Sequence, residues 1–339
     1  MRRIRPFGTL MSALVSSGLL WLVTLAAHAA QAQTHKHYAE NGQAAEPGPD
    51  GALAPRLLDL GAHTFPVTTR SSPAQVYVSQ GVNLAYGFNH AEAGRSFREA
   101  ARLDPECAMA YWGQALVLGP NINAPMDPED EPKARGLAEQ ALARRAAAGP
   151  REQALIEALA RRYTGKADDR AAGDQAYAEA MRAVWQRFPG DDDVAALYAE
   201  AMMDLRPWAY WRPDGTPYPG IPEVVALLES VIQRNPRHPL ALHLYIHLLE
   251  PVAPAKAERA ADLLLPLMPG AGHMVHMPSH IYQRVGRYAD AVKANEQAAL
   301  ADEDYITQCR VQGFYAMAYY PHNVHFVWFA ATMDGRGAL

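Results

Sequence analysis

Seven of the chain's 13 histidines fall in the 83 residues from His243 to His325. They come in three groups. His243 and His247 are four apart, with Glu250 three further on. His273, His276 and His280 share the run Gly272-His-Met-Val-His-Met-Pro-Ser-His280, and His322 and His325 are three apart. On an α-helix, steps of three, four and seven return to one face. Neutral imidazole is the commonest side-chain ligand for late transition metals. Three histidine-faced helices side by side therefore predict a metal site drawn from His243, His247, His273, His276, His280, His322 and His325, with Glu250 as a further candidate. Packed helices stand about 8 to 10 Å apart, and imidazole binds zinc at about 2.0 to 2.1 Å, so neighbouring helices can share an ion. Zinc, copper, iron and nickel all suit imidazole, and the donor set does not separate them.

A metal-free alternative has the same histidines neutral and hydrogen-bonded to carbonyls, to Tyr245, Tyr282, Tyr319 or Tyr320, or to a peptide. Met274 and Met277 read as core fillers. Pro278 is comfortable only in the first turn of a helix. It predicts either a helix start near Ser279, with His273 and His276 on a loop, or a kink within one helix. No His-Glu-x-x-His is present, so the common zinc-protease signature is missing.

The groups belong to a repeat. An interval of 49 residues separates His273 from His322, His276 from His325, and Gly286 from Gly335. The elements that would carry this repeat are helical. Alanine is abundant and β-branched residues are sparse after the first 30, which favours helices. Ser72-Pro73 supplies a helix start. Gly81 is followed at helical spacing by Ala93, Phe97 and Ala100, then Pro105 and Gly113. This pattern resembles the tetratricopeptide repeat. The resemblance implies an all-α fold, a right-handed α-solenoid of antiparallel helical hairpins spanning 57–339. It also implies that first helices, and with them the histidines, line a concave groove suited to a protein or peptide ligand. Leu339 falls where the return helix of the last unit would begin, so that repeat reads as incomplete and a further C-terminal part is expected, since a solenoid needs a cap.

Further helices are expected at 131–147, 150–163, 171–188 and on to about Leu205, then 222–233, 239–250 and 256–267. Two irregular stretches interrupt them. Gly119–Met126 offers Asn121 and Asn123, which either bind a ligand or close turns. Arg206–Gly220 crowds Trp208, Tyr210, Trp211 and Tyr218, where Trp208 and Trp211 either wall a pocket or cover the stack.

The N-terminus reads differently. Arg2, Arg3 and Arg5 precede an apolar run and Ala-x-Ala sites, which marks residues 1–32 as a signal peptide and the protein as exported, periplasmic or secreted. Cleavage after Ala32 would expose Gln33-Thr34-His35, a potential Cu(II) or Ni(II) chelate, with His37 close by. Residues 33–56 read as a disordered linker, and His63–Thr69 as a short extended segment packed on the first helices. Net charge is −5, and becomes −8 without the three arginines. No basic stripe points to nucleic acid, and no second apolar run approaches a membrane span. Cys107 and Cys309 are 202 residues apart and read as separate buried thiols, far from each other in an elongated fold. No nucleophile triad, phosphate loop or paired-carboxylate motif defines a reaction. A binding or scaffold role is therefore favoured over a metal-dependent enzyme.

Overall fold

A computed structural model describes residues 51–310 and 315–337. The expected signal peptide, His35 and His37, and most of the expected linker lie outside these residues. The described chain is all-α. Among its residues there is no strand, only isolated bridges between Asn121 and Ala124 and between Trp211 and Pro217. The expected extended segment is irregular chain laid along the first helix. Gln75 and Ser79 bond the backbone of Phe65 and Val67, and Asn83 donates to the His63 carbonyl.

The helices are α1 (Ser72–Tyr86), α2 (His90–Leu103), α3 (Ala108–Leu116), α4 (Glu131–Arg144), α5 (Pro150–Ala160), α6 (Arg170–Arg187), α7 (Asp192–Asp204), α8 (Ile221–Arg234), α9 (Pro239–Leu249), α10 (Pro254–Leu264), α11 (Gly272–His276), α12 (Pro278–Arg284), α13 (Tyr288–Cys309) and α14 (Tyr320–Met333). Ser71 caps α1 through its side chain and Asp191 caps α7. Proline opens α5, α9 and α10, where its missing N–H has no helical partner to lose.

The residues that carried the repeat pattern do its packing work. Phe97 is fully buried between α1 and α3. A methyl on Gly81 would come within 2.8 Å of its ring, and one on Gly113 would overlap it. Both positions must be glycine for the helices to approach. Helices pack on their neighbours in sequence except that α10 passes over α11 to pack on α12, and α1 also packs on α3 and α7 on α9. Gly286 and Gly335 adopt the same left-handed turn, at φ +81° and +75°, so the 49-residue repeat is also a backbone repeat.

The expectation of an elongated stack with distant ends does not hold. α9 packs on α1. Tyr305 of α13 donates to Asn89 at 3.0 Å, and Arg95 of α2 donates to the Cys309 carbonyl at 3.3 Å. The first hairpin thus meets the last ones, and the histidine helices lie inside that closure. Cys107 and Cys309 are both free and buried, as expected.

Candidate metal centre

Pro278 interrupts the hydrogen bonds of its helix but not its course. Met277 keeps helical torsions, φ −50° and ψ −39°, and its N–H still bonds the His273 carbonyl at 3.0 Å. α12 then starts on Pro278. α11 and α12 run on as one interrupted helix, so His273 and His276 are helical and keep a common face with His280.

Two triads result. His243 and His247 from α9 meet His273 from α11; His276 and His280 meet His322 from α14. Within each triad the ligand atoms lie within 4.8 Å of one another. The His243 and His273 Nε2 atoms are 3.2 Å apart, and those of His276 and His280 are 2.9 Å apart. The triads adjoin. Ring centroids are 6.0 Å apart for His273 and His276 and 5.8 Å for His247 and His280.

The far sides of these rings decide what the near sides offer. His243 Nδ1 lies 2.7 Å from the Tyr86 carbonyl. His276 Nδ1 lies 2.5 Å from Asn295 Oδ1, and the Asn295 amide is oriented by its own donation to the Ala291 carbonyl. His280 Nδ1 lies 2.9 Å from Glu250 Oε2. A carbonyl, an amide oxygen and a carboxylate can only accept, so all three Nδ1 atoms carry the hydrogen. In the neutral rings the Nε2 lone pairs are then left pointing inward. In their neutral forms His276 and His280 therefore aim two lone pairs at each other across 2.9 Å, a contact that either a shared proton or a metal ion would turn favourable. His247 makes no hydrogen bond through either ring nitrogen, and His273 makes none through Nδ1. Such buried polar atoms are costly without a partner.

Burial favours the neutral form of five of these rings. Burial, followed by the charge of neighbouring imidazoles, holds His243, His273 and His276 well below the ordinary histidine range. Burial lowers His247, opposed by Glu250. His322 is lowered to about 4 by burial and then by His280 and His325. Glu250 is pushed upward by burial, but His280 and His247 outweigh that and leave it well below the usual carboxylate range. Glu250 Oε1 stands 3.7 Å from His247 Nδ1, too far for a hydrogen bond.

Aromatic rings wall the centre. Phe88 lies 4.4 Å from His243 and 5.6 Å from His273, Tyr319 lies 4.6 Å from His273, and Phe326 lies 4.7 Å from both His276 and His322. Trp208, half exposed and at φ +62°, sets its edge 5.0 Å from His247.

The other expected residues fall elsewhere. His325 is exposed and stacks on Trp328 at 5.5 Å. It stands outside both triads although it matches His276 in the repeat. Asn121 closes a turn by accepting the Asn123 and Ala124 N–H groups. Asn123 donates to the Tyr319 hydroxyl at 3.3 Å. Trp211 is anchored by donation to the Leu248 carbonyl at 2.7 Å. The histidines themselves are interior, with His243 and His276 wholly buried, so they do not line an open groove. Sequence reasoning missed Asn295, Phe88 and a third cluster of His63, Asp193 and His238.

That cluster is a hydrogen-bonded unit. His238 Nδ1 accepts the Ala241 N–H at 3.2 Å as the cap of α9. Its hydrogen therefore sits on Nε2, which lies 3.2 Å from Asp193 Oδ1. The same oxygen accepts the Tyr86 hydroxyl at 2.7 Å. With Nε2 committed to a hydrogen, His238 is not a ligand.

No protein-family model matches the chain, and no curated protein matches it. Among the described residues no helix is long and apolar enough to cross a membrane.

Proposed function

We propose that the chain is an exported helical-repeat protein of the tetratricopeptide type whose interior histidine centre binds transition-metal ions. The observation that carries this reading is the set of Nδ1 partners. Tyr86, Asn295 and Glu250 each fix one imidazole so that its Nε2 faces inward. Histidine ligands are oriented in this manner by carbonyls and carboxylates on their outer nitrogens. Five buried imidazoles and the half-buried His322 converge on this centre. The donor set suits zinc, copper, iron or nickel. The test is elemental analysis of the purified chain after chelator treatment and metal reloading. Wild type should retain metal through gel filtration, and His243→Ala combined with His276→Ala should not. Equal trace metal in both would sink the reading.

A second reading keeps the scaffold role. Val324, Trp328, Phe329 and Met333 expose apolar surface on α14, which favours docking of a protein or peptide there. Metal-stripped protein that keeps full affinity for such a ligand would separate the two roles.

A further inference from the structure

We propose that the two triads together hold a pair of copper(I) ions that take up dioxygen. This rests on the metal-binding reading and goes beyond it. Three features lead there.

The first is number. Each triad supplies three imidazoles, which leaves a coordination position open on each ion. The triads adjoin through His273 and His276 and through His247 and His280. Two adjoining open positions suit a small ligand that bridges.

The second is charge. Imidazole binds a metal ion as a neutral ligand, so the six rings bring no charge of their own. The carboxylate next to them is Glu250, which accepts from His280 and lies 3.6 Å from the Arg284 guanidinium. Two divalent ions would bring four positive charges into a site that offers little compensation. Two copper(I) ions bring two. The cost of burying an ion rises with the square of its charge, and in a dry interior that cost is large. Imidazole suits copper, and three-coordinate geometry suits its monovalent state.

The third is enclosure. Phe88, Tyr319 and Phe326 wall the rings, so the centre admits a small apolar molecule more readily than a charged one. Dioxygen is such a molecule, and two copper(I) ions match it in electrons. Each copper gives one electron. Dioxygen gains two, its O–O bond order falls from two to one, and the product is peroxide between two copper(II) ions. No proton and no other reductant is consumed, and the reverse transfer releases dioxygen.

The experiment loads the full chain with copper(I) under argon and then admits air. Expected are two coppers per chain, one dioxygen taken up per two coppers, and an intense near-ultraviolet band that fades again under argon. The oxygenated form should give almost no copper(II) paramagnetic resonance, because the two spins couple. Zinc-loaded protein should show none of these changes. No retained metal of any kind would defeat the metal-binding reading itself. Retained copper with no dioxygen uptake, with one ion per chain, or with the full resonance of isolated copper(II), would overturn only the pairing. His322→Ala changes a half-buried ring and should drop the count to one copper and abolish uptake; two coppers with full uptake in that variant would also overturn the pairing. His280→Gln, closer to the original volume, gives the same readout if His322→Ala fails to fold.

Discussion

Asn295 holds His276 by a short hydrogen bond from Nδ1 to its amide oxygen, 2.5 Å long, while its own amide nitrogen is tied to the Ala291 carbonyl. Both side chains are wholly buried. One residue on α13 thus dictates which nitrogen of a ring on α11 carries the hydrogen.

Replacing that residue should weaken the centre without touching a ligand. Asn295→Leu removes the acceptor, so the His276 Nδ1–H loses its partner. Metal affinity should fall by about 10- to 100-fold, the usual effect of losing such an orienting group. Competition against a chromogenic chelator measures it. An affinity within twofold of wild type would show that Asn295 does not orient the ring.

Glu250→Gln keeps the volume and one accepting oxygen but removes the charge. His280 and His247 are the groups that hold Glu250 ionised against burial. Affinity should drop by roughly 10-fold, less than for a variant that cannot accept at all. Glu250→Leu should be worse. If the two variants behave alike, the accepting oxygen contributes nothing and only the charge matters.

Asp302 gives the fold a pH dependence of its own. Burial raises its carboxyl to about 7, against the lowering effect of hydrogen bonds from Tyr315 and Asn323. A carboxyl whose folded value lies above its unfolded value binds its proton more tightly when folded. Its contribution is complete below the unfolded value near 4 and is lost as pH rises through about 7. Unfolding midpoints in urea should therefore fall between about pH 4 and 7 and level off above that. In Asp302→Asn that slope should flatten, and an unchanged slope would place the titration elsewhere.

Two glycines should respond with opposite sign. Gly113→Ala drives a methyl into the Phe97 ring, and should cost about 1 to 3 kcal/mol by overpacking. Gly136, inside α4, has nothing within 4 Å of an added methyl. Gly136→Ala should stabilise by about 0.5 to 1 kcal/mol through helix propensity. Thermal unfolding of the pair reads both, and two changes of the same sign would contradict the packing described.

The histidine faces were legible because helical spacing is a property of the chain itself. His243 and His247, and His273, His276 and His280, do share faces across their helices. The repeat misled at its last member. Equivalent positions in two units meet different neighbours, so His276 is wrapped by α13 and α14 while His325 faces outward with Trp328. His322 likewise joins His276 and His280, whereas its counterpart His273 joins His243 and His247. Pro278 looked like a break in the face, yet a proline at the first position of α12 costs a hydrogen bond and leaves the direction intact. Asn295 and Phe88 carried no signal, since their roles come from contacts with distant segments. The closure between α13 and α2 was invisible for the same reason: Tyr305 and Asn89 stand 216 residues apart.

The centre draws on Tyr86 at the end of α1, on α9, α11 and α12, on Asn295 of α13, and on His322 of α14. Tyr86 alone lies 157 residues from the imidazole it orients. A chain still being made owns most of the ligands but not the frame that turns them. Under the proposed function, ion capture is therefore a late event, available only after α9 has docked on α1 and α14 on α11. Such an ion would clasp α9, α11, α12 and α14 together. Metal content would then be a stamp of that docking, readable on each molecule long after folding has ended.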